Sequence, residues 1–203
     1  MSPAPLAKLA ALSLHLMRGQ TRTALLWGLV QGAMSALVVA MFPSVAEGMD
    51  LGAYLENIPR EMIALFGIDS MMGLNTVEGW LGVQMFNFWL PLSLSFYPIL
   101  LGANAVAGAE ERGRLDLLLS NPLPRWQLVV SAALAMLYGL LLSLGVLWLL
   151  TYGTAAVMGV ALSAASAAAG VFNLLPLTFF FGALALLFSS LLRRAALATA
   201  IAG

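Results

Sequence analysis

Apolar positions run almost unbroken along this chain, and its charged positions gather into a few short islands. From Thr23 to Phe42 no residue is charged. Twenty helical residues at about 1.5 Å each cover the roughly 30 Å of a hydrocarbon core, so this stretch predicts a first transmembrane helix. Residues 80–108 are uncharged again, long enough for a second crossing with excess length or a kink at Pro91 or Pro98. Trp126 to Leu192 form a third uncharged stretch, flanked by Arg125 and Arg193, about twice what one span needs. Basic flanks favour the cytoplasmic side, so an even number of crossings is expected: two helices, roughly 127–150 and 168–191, joined through Thr151, Tyr152 and Gly153. Ala195–Gly203 starts another apolar segment, read as the opening of a fifth helix of a longer chain.

The flanking segments complete the expected topology. Residues 4–20, with Leu9, Leu12 and Leu16 on one side and Lys8, Arg18 and Arg22 nearby, predict a cytoplasmic interfacial helix; no small-residue cleavage site marks them as a signal peptide. Residues 43–79 form a polar outer segment, in which Leu51, Leu55, Ile58, Met62 and Leu65 recur at helical spacing as an amphipathic face. On this reading Arg60 alone among the nine basic residues lies outside, which places the N-terminus in the cytoplasm. Trp80, Trp148 and Tyr152 fall near the outer boundary and Trp126 near the inner one, as interfacial anchors. The fold class is all-α: a polytopic transmembrane helical bundle, residues 1–203 as a single domain, with about four full spans and the start of a fifth.

Composition then narrows the chemistry. Hydrophobic residues make up 62% of the chain and charged ones 9%, the balance of a protein whose solvent is lipid. Nine acids cancel nine bases, which argues against nucleic acid as a partner. There is no cysteine, a single lysine (Lys8) and a single histidine (His15). A phosphate loop, a serine–histidine pair inside the membrane and a metal cluster all lack their residues, so no catalytic residue, metal or cofactor is expected in this chain. Within the spans the polar groups are uncharged. Gln31, Gln84, Asn87 and Asn173 could line a substrate path or hydrogen-bond between helices. Gly28, Gly32, Ala36 and Ala40 on the first helix, and Ser131, Ala135, Gly139 and Ser143 on the third, form small-residue stripes suited to close helix contact. No internal repeat stands out.

The remaining island, residues 105–125, is where polar chemistry concentrates. Glu110 and Arg114 stand four apart with the acid first, the favourable order for a helical pair, while Leu115, Leu118 and Leu119 share a face. A short cytoplasmic amphipathic helix is expected, ended by Asn121-Pro122-Leu123-Pro124.

These residues resemble the permease subunits of the type-2 ABC exporter family, whose members carry Gly-Glu-Glu-x-x-Gly-Thr-Leu-Glu/Asp-x-Leu-Leu-Ser/Ala-x-Pro at this place. The matching positions are Gly108, Glu110, Glu111, Gly113, Leu115, Asp116, Leu118, Leu119, Ser120, Pro122 and Arg125. Ala109 lengthens the interval after Gly108, and Arg114 replaces the usual threonine. The resemblance implies that 109–125 is a coupling-helix loop seated in a groove of a separate ABC ATP-binding subunit. It assigns Glu110, Glu111, Arg112, Gly113, Arg114, Leu115, Leu118, Leu119 and Arg125 to that interface. It further implies ATP and Mg on the partner subunit, a second membrane half or homodimer partner, a lipid bilayer of the inner or plasma membrane, and ATP-driven export. Two other classes compete with this reading. A non-transporting scaffold would share the hydropathy but gives no reason for the Glu-Glu-Arg-Gly-Arg run, and a membrane-embedded enzyme lacks intramembrane ionisable residues.

Overall fold

The computed structural model describes residues 5–48, 76–105, 125–191 and 199, and every regular element among them is helical. Helix α1 spans Pro5–Gly48. The sequence predicts two elements here, an interfacial helix over 4–20 and a span from Thr23; the structure instead runs residues 5–48 as one helix. The cause is local. Nothing between Arg18 and Arg22 removes a backbone N–H. The Thr21 hydroxyl also donates back to the Met17 carbonyl (3.0 Å), as Ser13 does to Leu9 (2.9 Å), so these side chains ride on the ladder without interrupting it. The predicted amphipathic face Leu51 to Leu65 lies outside the described residues.

Helix α2 (Val77–Leu81) opens on Thr76, whose Oγ1 accepts the Gly79 N–H (3.2 Å). It passes into a π turn, Gly82–Phe86, closed by the Asn87 N–H on the Gly82 carbonyl (2.8 Å). Helix α3 (Trp89–Ala105) follows at 48° to the 77–86 segment. The break at Asn87–Phe88 precedes Pro91 by one turn, where a proline ring offers no N–H to the ladder. Pro98, the other expected kink site, lies inside α3.

Helix α4 (Arg125–Met158) continues through the expected linker at Thr151-Tyr152-Gly153. Thr151 donates to the Leu147 carbonyl and the Ser35 hydroxyl (both 2.8 Å), and Tyr152 stacks on Trp148 with ring centroids 5.8 Å apart. These contacts hold the turn in helix. The stop comes at Gly159, whose φ of 68° is the left-handed conformation that glycine adopts without strain. The N–H groups of Gly159 and Val160 return to the Ala156 and Ala155 carbonyls, the paired bonds of a Schellman cap.

Helix α5 (Ala164–Phe172) begins on Ser163, whose Oγ accepts the Ser166 N–H (3.0 Å). After Asn173, helix α6 (Leu174–Leu191) completes a 28-residue apolar run, starting a turn earlier than the predicted 168. Three stretches, in α1, in α4 and across α5–α6, are long and apolar enough to cross a membrane, and α2–α3 makes a fourth if the bent pair is one span.

The chain divides into two compact units. The first comprises residues 1–27, 93–143 and 175–203; Ala24, Tyr97, Met136 and Leu140 form one core in it, and Ile99, Ala103 and Ala185 another. The second comprises 28–92 and 144–174 and buries Val39, Leu81, Met85, Leu147, Ala155 and Val171. Leu26, Leu29, Phe88 and Leu149 are exposed. For a chain dissolved in lipid such exposure costs nothing, and helix association rests on close contact and hydrogen bonds.

Candidate functional site

The expected interface residues Glu110, Glu111, Arg112, Gly113, Arg114, Leu115, Leu118 and Leu119 lie outside the described residues, and Arg125 opens α4. What the structure does describe is the frame that carries this segment: α3 leads into it from Ala105 and α4 leads out from Arg125. Within the first unit these two helices are tightly joined. The Tyr97 hydroxyl fills the space that a Cβ on Gly139 would occupy, and the Tyr97 ring lies 6.1 Å from that of Trp27 on α1. Ser143 on α4 donates to the Ala24 carbonyl of α1 (2.8 Å), and Thr21 and Tyr138 share a hydrogen bond of 3.3 Å. Close-packed helices with no room to slide transmit a displacement applied at their connecting segment.

The four path candidates separate into two groups. Gln31 is buried in α1 one turn before Ser35, the hydroxyl that meets Thr151, so it belongs to a polar seam between α1 and α4. Gln84, Asn87 and Asn173 are exposed. Gln84 sits in the π turn, Asn87 ends it, and Asn173 separates α5 from α6. The described spans therefore present amides and hydroxyls, groups that can hydrogen-bond a passing molecule.

The small-residue stripes do serve helix packing. Ser131, Ala135, Gly139 and Ser143 are all buried, and a Cβ on Gly32 would fall 2.6 Å from Leu150 Cδ1. A closer contact escapes sequence reasoning. Gly102 of α3 lies against Gly182 and Leu186 of α6: a Cβ there would stand 2.8 Å from the Leu186 nitrogen and closer still to the Gly182 carbonyl. A Cβ on Gly182 would in turn meet Pro98 Cβ at 2.6 Å. One turn on, Ser189 donates to the Ala103 carbonyl (2.7 Å). The contacts advance in the same sense along both helices, so α3 and α6 are parallel. Two glycines set far apart in sequence gave no signal for this pairing.

Where no internal repeat is expected, two described stretches nevertheless share a local pattern. Thr76 and Ser163 each cap a short helical arm; each arm ends in Phe-Asn, at Phe86-Asn87 and Phe172-Asn173; and each is followed by Leu-Pro-Leu and a hydroxyl residue, Leu90-Pro91-Leu92-Ser93 and Leu175-Pro176-Leu177-Thr178. A long helix then descends from each, 17 residues in α3 and 18 in α6. Both prolines stand in the first turn of their helix, where an N–H would have no acceptor within the helix. The first copy carries one residue more between asparagine and proline, and an inserted residue is what a π turn absorbs. That shift hides the repeat from a fixed-period comparison. The two short arms touch: a Cβ on Gly170 would lie 3.5–3.7 Å from the Phe86 ring.

A family model described as ABC-2 family transporter protein matches residues 15–203, nearly the whole chain. The comparisons with curated proteins and with solved structures gave no match. Long apolar helices, an interior furnished with hydroxyls and amides, and the family match over these same helices lead to one conclusion: the chain belongs to the ABC-2 family of transporter proteins and is a membrane permease component of an ABC transporter.

Proposed function

We propose that this chain is the permease side of an ATP-driven exporter in the inner or plasma membrane, working with a separate ABC ATP-binding subunit and a second membrane half, either a homologue or a second copy. The observation that carries the reading is the Gly108 to Arg125 motif between α3 and α4 in a chain matched to the family from residue 15. In this reading 109–125 is the coupling helix. Glu110, Glu111, Arg112, Gly113, Arg114 and Arg125 face the ATPase, and Leu115, Leu118 and Leu119 anchor the helix. ATP and Mg bind on the partner; its dimerisation displaces the segment, and α3 and α4 carry that movement into the bundle.

On the reading of four spans with the N-terminus in the cytoplasm, the motif faces the compartment that holds ATP. The lack of deep ionisable residues fits energy supplied from outside the chain in place of ion coupling. Gln31, Gln84, Asn87 and Asn173 are the polar groups available to a substrate. The test is purification of the complete gene product from its own host in mild detergent, with and without residues 109–125. A phosphate-loop ATPase recovered only with the intact segment is expected; no ATPase with either form would overturn the reading and favour a scaffold.

A further inference from the structure

We propose that the exposed stripe His15, Arg18 and Arg22 on α1 is a binding surface for an anionic phospholipid, with the lipid phosphate on the two guanidinium groups and the acyl chains along Leu25 and Leu26. The site needs only the membrane setting of the chain; that the lipid belongs to the cytoplasmic leaflet rests on the permease reading and its cytoplasmic N-terminus.

Spacing puts the three side chains together. Residues 15, 18 and 22 follow at intervals of three and four, so they share one face of a continuous helix, and all three are exposed. The packing face is the opposite one: Ser13 and Ala24 are buried, with Met17 and Gln20 half-buried between them, again at helical spacing. The periodicity that turns one face into the bundle therefore turns the basic stripe out of it. Helix α1 has no acid before Glu47, so no carboxylate one turn away can neutralise either arginine. Among the described residues of the first unit there is no Asp or Glu at all. The counter-charge has to come from outside these helices.

The level of the stripe decides which anion fits. Thr21 meets Tyr138, and three residues on the Ala24 carbonyl accepts from Ser143. The contacts advance in the same sense on both helices, so α1 and α4 run parallel, and Arg18 and Arg22 stand beside the uncharged body of α4 and not beyond its end. Val130, Leu134 and Leu141 are exposed along that part of α4, and Leu25 and Leu26 follow Arg22 within about one turn, exposed as well. An acidic soluble protein or a nucleic acid would cover the charges and leave this apolar surface in water. A phospholipid covers both. Its phosphate oxygens accept paired N–H bonds from the guanidinium forks, and its chains lie on Leu25 and Leu26. The long arginine stems rest on apolar surface while their heads reach for the headgroup layer, and the His15 ring adds an N–H donor on the side of Arg18 nearer the N-terminus.

The test uses the full-length permease, stripped of host lipid in mild detergent and titrated with phosphatidylglycerol or with phosphatidylcholine of the same acyl chains, bound lipid being counted by native mass spectrometry. Phosphatidylglycerol is expected to bind about 25-fold more tightly, about fivefold for each arginine. Arg18→Gln with Arg22→Gln is expected to abolish the preference, while Arg18→Lys with Arg22→Lys, which keeps the charge, retains most of it. If the glutamine pair does not fold, Arg18→Gln alone is expected to give the single fivefold step. Glycerol 3-phosphate in large excess, a headgroup without chains, should not displace the lipid. Equal affinity for the two lipids would overturn the site, because the chain's own acids would then already satisfy the arginines. So would a preference that survives in a monodisperse glutamine variant, or displacement by glycerol 3-phosphate. Loss of bound phosphatidylglycerol on adding the ATPase subunit would assign the stripe to that protein and overturn it too. A permease that recruits no ATPase yet holds phosphatidylglycerol through these arginines would sink the proposed function and leave the lipid site standing.

Discussion

Two contacts between the spans that carry the Phe-Asn junctions differ in closeness, and the contrast explains more of this molecule than either contact alone. Between the long helices, glycine meets glycine so closely that a Cβ on Gly102 would run into the backbone at Gly182 and Leu186. Between the short arms, an aromatic ring rests on Gly170 at a distance where a methyl group would fit. In lipid, where no hydrophobic force holds helices together, closeness of backbone approach and interhelical hydrogen bonds decide which pairs stay fixed. The long pair has both, Ser189 to Ala103 included. In the short pair the contact at Gly170 is an ordinary van der Waals one that leaves room for a methyl group.

The largest expected effect comes from prising the tight contact apart. Gly102→Val forces a branched side chain against backbone that has no rotamer with which to yield, and is expected to cost about 3 kcal/mol or more, seen as loss of the monodisperse peak in size-exclusion chromatography from detergent. Gly145→Ala, at a position with nothing within 4 Å, is the matched control and should leave the peak unchanged.

Next comes the inserted residue. Deleting Phe88 gives the first break the same spacing as the second, and the 77–86 arm should then lose its π turn and most of its 48° bend. Arm tilt in oriented bilayers by solid-state NMR checks this; a bend that survives the deletion would show that the extra residue is not its cause.

A smaller effect is expected from Ser189→Ala, which removes the hydroxyl bridge but leaves the glycine contact. About 0.5–1 kcal/mol should be lost, measured by reversible unfolding in mixed micelles. The smallest falls on the loose contact. Gly170→Ala places a methyl group 3.5–3.7 Å from the Phe86 ring. Because alanine is the better helix former, it should raise stability by about half a kcal/mol. A marked loss there would mean the short arms are packed as tightly as the long helices, and the contrast would collapse.

Much of this was legible in the amino-acid sequence, for reasons that also mark where legibility ends. Long charge-free stretches are a matter of composition, so the helical class and the family motif at Gly108 to Arg125 could be read directly. Helix ends inside apolar runs were harder. Thr151-Tyr152-Gly153 has the look of a turn, yet Thr151 is held in helix by Ser35 from a distant part of the chain, and the true stop is the left-handed Gly159. The separate surface helix expected over 4–20 rested on charge at Arg18 and Arg22, but charge alone does not break a backbone ladder. Of the path candidates, Gln31 proved interior and the other three exposed, a distinction set by which helix face meets a neighbour. The repeat was present in the letters throughout. One extra residue before Pro91 displaced its two halves against each other, and only the shared cap, Phe-Asn and proline geometry brings them back into line.

The claim on which the account turns is that residues 109–125 meet an ATPase. A photo-crosslinking amino acid at position 111, and separately at position 114, in the full-length permease, irradiated in native membranes, tests it at the residue level. The account predicts a covalent adduct from both positions with a phosphate-loop ATPase. Adducts with lipid or other membrane chains alone, from membranes in which that ATPase is present, would contradict it.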